Sequence, residues 1–397
     1  MGKQAAFFFG SGISYASGLP SVKEITDAAL HEQWHLNTDC SFSEGPNRNP
    51  HIPDTVTPVI QEFLRKLFRI AADCKEELAH TTPAEPPHYE ELFSLSEQIM
   101  RAKNDHVPNL ATADFFRRVC SETAYLHIGF QGGSSGLPGL CGLADAACNF
   151  LQWVVDAKLK QNGNTREGLG LISSVAESVD LLDIFTLNHD TLVEEQLECD
   201  GIVPQMGFND LGHGEFQVYK SGWWRDVSQT RSKVRMFKLH GSLNWWFYEF
   251  PGWARQYAIP KNGHDKSRDQ NGEFRIPLSK TAEFLSGTIV KELNYNFGLW
   301  REQLEAFREH LSNHTRLICC GYGFGDNGIN RRIDQWMHDR LDGSNRLVVL
   351  TEDPKEEFIS NKPYWLRHLV EEDRVDFVPN YLQDCGLRDL EPHFDSL

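Results

Sequence analysis

The chain has 397 residues, 40% of them hydrophobic, enough for a sizeable core in one or two domains, and no apolar run is long enough for a membrane helix. A formal net charge of −17 excludes broad, non-specific nucleic-acid binding, because the phosphate backbone would be repelled. Nine scattered cysteines without a C-x-x-C pair exclude a disulfide framework and a zinc ribbon, and with no signal-peptide pattern they predict a cytoplasmic protein with reduced thiols.

Phe7, Phe8 and Phe9 form a short apolar run ended by Gly10, the pattern of a fully buried strand. Gly10, Gly12 and Gly18 then permit a sharp turn and close approach to a ligand, while Ser11, Ser14 and Ser17 supply hydroxyls. Val22–Leu30 has a helical pattern. A strand, a Gly/Ser turn and a helix N-terminus make a ready phosphate site, although the same stretch also fits a glycine-rich connection with no ligand. Cys40–Thr57 is predicted as loop.

Residues 31–165 are predicted as a mostly helical insertion. Phe63, Leu64, Leu67, Phe68 and Ala71 recur at helical spacing, as do Phe150, Leu151, Val154, Val155 and Leu159. Tyr89–Lys103 and Ala111–Ile128 have helical patterns too, joined onward by a flexible connection at Gln131–Gly139. The remainder, residues 1–30 and 166–397, is predicted as the second domain.

From Val179 short apolar runs appear. Leu181–Leu187 ends at Asn188-His189-Asp190, and Thr191–Leu197 continues as a helix. Met236–Leu239 ends at His240-Gly241-Ser242, Leu317–Cys320 at G-Y-G-F-G-D, and Leu347–Leu350 at Thr351. Val375–Val378 is a last strand. Helices are predicted over Leu299–Leu311 and Ile329–Leu341, the latter capped by Asp326. Strands alternating with helices predict an α/β fold, a parallel sheet with helices on its faces. The polar residues fall just past the strands' carboxyl ends, the edge where such sheets bind ligands. Between residues 201 and 295, Trp223, Trp224, Trp245, Trp246, Phe247, Tyr248 and Trp253 are predicted to pack long hairpins over the sheet, a partner-binding or substrate-covering surface being the alternative.

Several motifs fail. Tyr15 stands where a dehydrogenase fingerprint needs its third glycine, Asp326 breaks the second Gly-x-Gly likewise, and G-x-x-x-x-G-K-[ST] is absent. His31-Glu32-Gln33-Trp34-His35 matches the zinc-protease pattern H-E-x-x-H, but without a third ligand it is better read as a polar helix end. Asn188, Asp190 and His240 together with a Gly/Ser cradle suit cleavage of an N-glycosidic bond in a nucleotide. A carboxamide can hold water or a ribose hydroxyl without ionising, and a histidine can exchange a proton near neutral pH.

These motifs resemble the sirtuin superfamily. Gly10-Ser11-Gly12-Ile13-Ser14 with Ser17-Gly18-Leu19-Pro20 is similar to its G-A-G-x-S…S-G-[IL]-P loop, and Thr186-Leu187-Asn188-His189-Asp190 to T-[QN]-N-x-D. His240-Gly241-Ser242 resembles the H-G-S that carries the catalytic histidine, and Gly321–Asp326 the later nucleotide loop of the prokaryotic branch. The resemblance implies a Rossmann-like, sirtuin-like sheet with helices on both faces. It implies NAD as substrate, held by Gly10, Ser11, Gly12, Ser14, Leu19, Pro20, Asn188, Asp190, Gly321, Tyr322, Gly323 and Thr351. Asn188 and His240 are the implied catalytic residues.

Two departures matter. The paired C-x-x-C zinc module of protein-deacylating sirtuins is missing, so no metal is expected, and Ser21-Val22-Lys23 replaces their D-F-R segment. The chain therefore resembles NAD-hydrolysing effectors of prokaryotic anti-phage defence, which deplete NAD in abortive infection. Little sequence follows the last strand, so a sensor is expected on a separate partner, as in systems with a HerA-type ATPase, and a homo-oligomer is expected. A zinc-free NAD-dependent deacylase and a non-catalytic NAD or ADP-ribose sensor are the alternatives.

Overall fold

The computed structural model describes residues 2–47, 54–78, 85–104, 113–128, 130, 139–161, 165–210, 213–226, 232–250, 255–263, 265–287, 289–340, 342–360 and 362–396. Most of the Gln131–Gly139 connection, the start of Ala111–Ile128, part of Cys40–Thr57 and Trp253 lie outside these residues. The chain divides into two compact units, one of Met1–Leu19, Asn162–Leu285 and Glu292–Leu397, the other of Pro20–Gln161 and Ser286–Lys291.

The first unit is built on strands β1 (Lys3–Phe9), β2 (Leu181–Thr186), β3 (Val234–Lys238), β4 (Arg316–Cys320), β5 (Arg346–Leu350), β6 (Val375–Val378) and β7 (Asp395–Ser396). Six run parallel in the order β3-β2-β1-β4-β5-β6, and β7 pairs antiparallel with the start of β1. This is the Rossmann order 3-2-1-4-5-6, whose switch point lies between β1 and β4. Central parallel strands are covered on both faces, which is why they appear in the sequence as unbroken apolar runs. Phe7, Phe8 and Phe9 are all fully buried, each contributing on the order of 2 kcal/mol of apolar burial.

Alternation along each strand sends Phe8, Phe185, Phe237, Cys319 and Val349 to one face. There they meet Leu304 and Phe307 of the helix Gly298–Leu311, Ile329, Ile333 and Trp336 of Asn327–Asp339, and Leu366 and Leu369 of Tyr364–Glu371. Phe307 packs edge-on to Phe185 at 4.8 Å. On the other side of the sheet, the helix Gly170–Ser178 buries Ile172, Val175 and Ala176 next to β2.

The tryptophan-rich region forms a small antiparallel sheet, Phe208–Asn209, Phe216–Tyr219, Gln256–Pro260 and Trp246–Tyr248 in that order. Trp223 is fully buried and stacks on Phe237 at 5.3 Å, so packing is its role, as the sequence predicts.

The second unit is mainly helical, with Val22–His31, Thr57–Leu78, Tyr89–Asn104, Ala113–Glu122 and Gly139–Gln161 as its principal helices. Ile60, Phe63, Leu64, Leu67 and Ile70 give Thr57–Leu78 its buried stripe. One expectation is corrected here. Phe42–Glu44 is a strand, not loop, and pairs with Trp34–Leu36, because Trp34 and Phe42 both pack their rings against Phe150. The same hairpin removes the zinc-protease geometry, since the helix ends at His31 while His35 sits on a strand and its Nδ1 lies 3.0 Å from the Gly45 carbonyl.

Candidate functional site

A single rung of the sheet organises the candidate residues. Lys238, Thr186, Phe9, Cys320, Leu350 and Val378 are register partners across six strands. Gly10 and Gly321 follow that rung directly, Thr351 follows it on β5, and Asn188 and His240 each lie two residues beyond it. Residues far apart in sequence thus reach one carboxyl edge, on both sides of the switch point.

At the switch point the two glycine loops touch through their backbones. Gly10 N–H donates to the Cys320 carbonyl and Gly12 N–H to the Gly321 carbonyl, both at 3.0 Å. A Cβ on Gly10 would lie 2.5 Å from the Gly321 oxygen, and one on Gly12 would lie 2.7 Å from the Gly321 Cα. Glycine is therefore needed here for the contact between loops, whatever else the loops hold. Ser11 is exposed, and Leu19 is buried with its N–H on the Ser14 carbonyl at 3.2 Å. Pro20 begins the second unit.

Beside this contact, three predicted side chains form a directed chain. The Ser14 hydroxyl donates to Asp190 Oδ2 at 2.9 Å and accepts from Asn188 Nδ2 at 3.2 Å. Asp190 Oδ1 also accepts from the Leu192 N–H at 3.2 Å. Because the carboxylate can only accept, the hydroxyl points toward it and the carboxamide must offer its NH2 to Ser14. That orientation leaves Asn188 Oδ1 as the carboxamide's remaining acceptor. It is buried and has no hydrogen-bond partner among the described residues, and the buried Ser17 hydroxyl shares that condition. An unpartnered buried acceptor is costly, and a bound donor would remove the cost.

Lys238, at the end of β3, is buried beneath the Asn188–Asp190 turn. Its ammonium donates to the Asp190 carbonyl and to Glu194 Oε1, the latter at 2.6 Å. Burial pushes the Glu194 carboxyl up, and the Lys238 charge opposes that.

His240 is almost fully buried and stands at a tight turn. Gly241 has φ 85°, and a Cβ there would lie 2.3 Å from the Glu283 oxygen, so the turn after the histidine requires glycine. His240 Nε2 lies 2.6 Å from the Tyr295 hydroxyl and 3.1 Å from Asp326 Oδ2. Tyr295 in turn donates to Asp326 Oδ2 at 2.8 Å. Asp326 caps the following helix as the sequence predicts, its Oδ1 accepting from the Ile329 N–H at 2.9 Å. Its second oxygen has a further contact that the capping pattern does not reveal. No local sequence pattern marks Tyr295, and sequence reasoning misses it.

The later loop is split in its behaviour. Tyr322 turns inward, its ring 4.8 Å from Phe8 and its hydroxyl donating to Asn330 Oδ1 at 2.9 Å. A Cβ on Gly323 would meet nothing within 4 Å, so this glycine faces open space. Thr351 is buried, its hydroxyl accepting from the Asp353 N–H at 3.1 Å. Among the described residues no His/Cys/Asp/Glu cluster could hold a metal ion, and no helix is long and apolar enough to cross a membrane.

No curated protein matches the chain. Solved structures similar to it include the following two. One, described as "Sir2-p53 peptide-NAD+", is 10% identical, covers 94% of each chain and has a TM-score of 0.29. The other, described as "The Structural basis of Sirtuin Substrate Affinity", is 11% identical over 93% of each chain, with a TM-score of 0.30. Residues 183–369, a little under half of the chain and including Asn188, Asp190, His240, Tyr295 and Asp326, match the family described as SIR2-like domain.

Proposed function

We propose that this chain is an NAD+ glycohydrolase, releasing nicotinamide and ADP-ribose with water as the acceptor. The observation that carries the reading is the Asp190–Ser14–Asn188 chain, which leaves the buried Asn188 Oδ1 as an unpartnered acceptor. It lies at the carboxyl edge of a Rossmann-ordered sheet, where dinucleotides bind. The match to a SIR2-like domain over residues 183–369 supports NAD as the ligand class.

In this reading Asn188 Oδ1 accepts from the attacking water or a ribose hydroxyl and orients it. His240, two residues beyond the same rung on the next strand, exchanges the proton. The glycosidic bond breaks with oxocarbenium character, so holding the ribose and placing water account for most of what the protein must supply. Glycines 10, 12 and 321, Ser11, Leu19, Pro20, Asp190, Tyr322, Gly323 and Thr351 complete the proposed NAD site. The proposed setting is NAD depletion in anti-phage defence, restrained by oligomerisation or by a separate partner such as a HerA-type ATPase.

The test is chromatographic product analysis of NAD incubated with the chain, alone and with its genomic neighbour's product. Free nicotinamide and ADP-ribose are expected, with Asn188→Ala and His240→Ala each at least about a hundredfold slower. Wild-type rates in both variants would remove the assignment. Formation of O-acetylated ADP-ribose from an acetylated peptide would establish a deacylase, and binding without turnover would establish a sensor.

A further inference from the structure

We propose that Tyr295 and Asp326 are positioning residues for His240, fixing its ring and keeping a proton on Nε2. The proposal rests on the hydrolase reading for its consequence in turnover, but its geometry is independent of that reading.

Three residues distant in sequence meet at one atom. Tyr295 has a single hydroxyl proton, and Asp326 Oδ2, 2.8 Å away, can only accept it. The tyrosine oxygen therefore turns its lone pairs to His240 Nε2 at 2.6 Å. Asp326 Oδ2, 3.1 Å from the same nitrogen, is an acceptor as well. Tyr295 and Asp326 thus both call for an N–H at Nε2, which favours one tautomer of the neutral ring.

The partners are themselves held in place. Tyr295 is 2% exposed, and its ring stacks on His240 with centroids 6.0 Å apart. Gly328 makes room for that ring, since a Cβ there would lie 2.6 Å from it. Arg332 covers the ring at 5.5 Å. Burial raises the Tyr295 hydroxyl well above its ordinary range, so it remains a donor to Asp326 at neutral pH. Asp326 is anchored by its cap on the helix Asn327–Asp339.

The experiment uses the full chain with 15N-labelled histidine, the His240 signals being assigned by their loss in His240→Gln. Wild type is expected to show the Nε2–H tautomer. Asp326→Asn keeps a capping oxygen but can turn an N–H toward Nε2, and it is expected to shift the population toward Nδ1–H. Tyr295→Phe keeps the ring and removes the hydroxyl, and is expected to lower kcat about tenfold to a hundredfold with KM within about threefold. Positioning is overturned if wild type shows Nδ1–H, or if the tautomer is unchanged in Asp326→Asn and kcat is unchanged in Tyr295→Phe. Should wild type hold Nε2–H, shift in Asp326→Asn and yet never cleave NAD, the positioning stands and the hydrolase reading falls.

Discussion

Gly321→Ala separates two roles for the glycine loops. Gly321 has φ 62°, in the left-handed region, and a Cβ there would lie 2.4 Å from the Ile13 nitrogen and 2.7 Å from the Gly12 carbonyl carbon. Left-handed backbone costs a non-glycine residue roughly 1–2 kcal/mol. The atoms in the way are backbone, so the loops must part. That loosens the Gly10 N–H to Cys320 and Gly12 N–H to Gly321 hydrogen bonds, each worth about 1 kcal/mol. The expected loss is therefore about 3–4 kcal/mol, a large share of a typical stability of roughly 5–15 kcal/mol. Gly323, two residues on, has open space around a Cβ and no positive φ. Gly323→Ala is expected to be neutral or stabilising by less than about 1 kcal/mol. Urea unfolding followed by tryptophan fluorescence measures both. If the two variants unfold within about 1 kcal/mol of each other, the loops do not depend on this contact, and the glycines serve only a ligand.

Two further outcomes follow from the buried polar groups. His310 is buried beside Asp183, whose carboxylate is already held by Arg235 at 2.6 Å and by His314 at 2.9 Å, and desolvation pushes His310 down to about 4. A depressed folded value means that its contribution is present above the unfolded value near 6.5 and is lost as pH falls toward 4. The shift corresponds to about 3 kcal/mol. His314, raised, changes its contribution above 6.5, while Asp183 and Asp395, lowered, change theirs below 3.8. Glu309 beside it, lowered, changes its contribution below 4.5, so within this cluster the slope between pH 6.5 and 4.5 is His310's, and denaturant midpoints should show it flattened in His310→Phe, an unchanged slope refuting the account. Ser14→Ala strips a partner from both Asp190 and Asn188, costing about 1–3 kcal/mol in unfolding free energy. It also frees the carboxamide to rotate, so NAD cleavage should fall at least about tenfold in kcat; destabilisation with undiminished kcat would show that Ser14 does not orient Asn188.

The sheet was legible for a physical reason. Strands covered on both faces must be apolar at consecutive positions, and Phe7–Phe9, Leu347–Leu350 and their neighbours are. Their common ending in polar residues marks one carboxyl edge, and the strand register brings Gly10, Asn188, His240 and Gly321 to it. The hairpin Trp34–Leu36 with Phe42–Glu44 was not legible, because three-residue strands are too short to show alternation. Tyr295 was hidden more deeply. Its role depends on two residues that reach it only through the tertiary fold, and nothing beside it in sequence differs from an ordinary buried tyrosine. The opening glycines are the instructive middle case. Their spacing predicts close approach to a ligand, but spacing alone does not say what approaches. What approaches is Cys320 and Gly321, and the Gly10 and Gly12 amides are already donated to them. A phosphate held by this loop must therefore draw on other donors than the two glycine amides that mark it in the sequence.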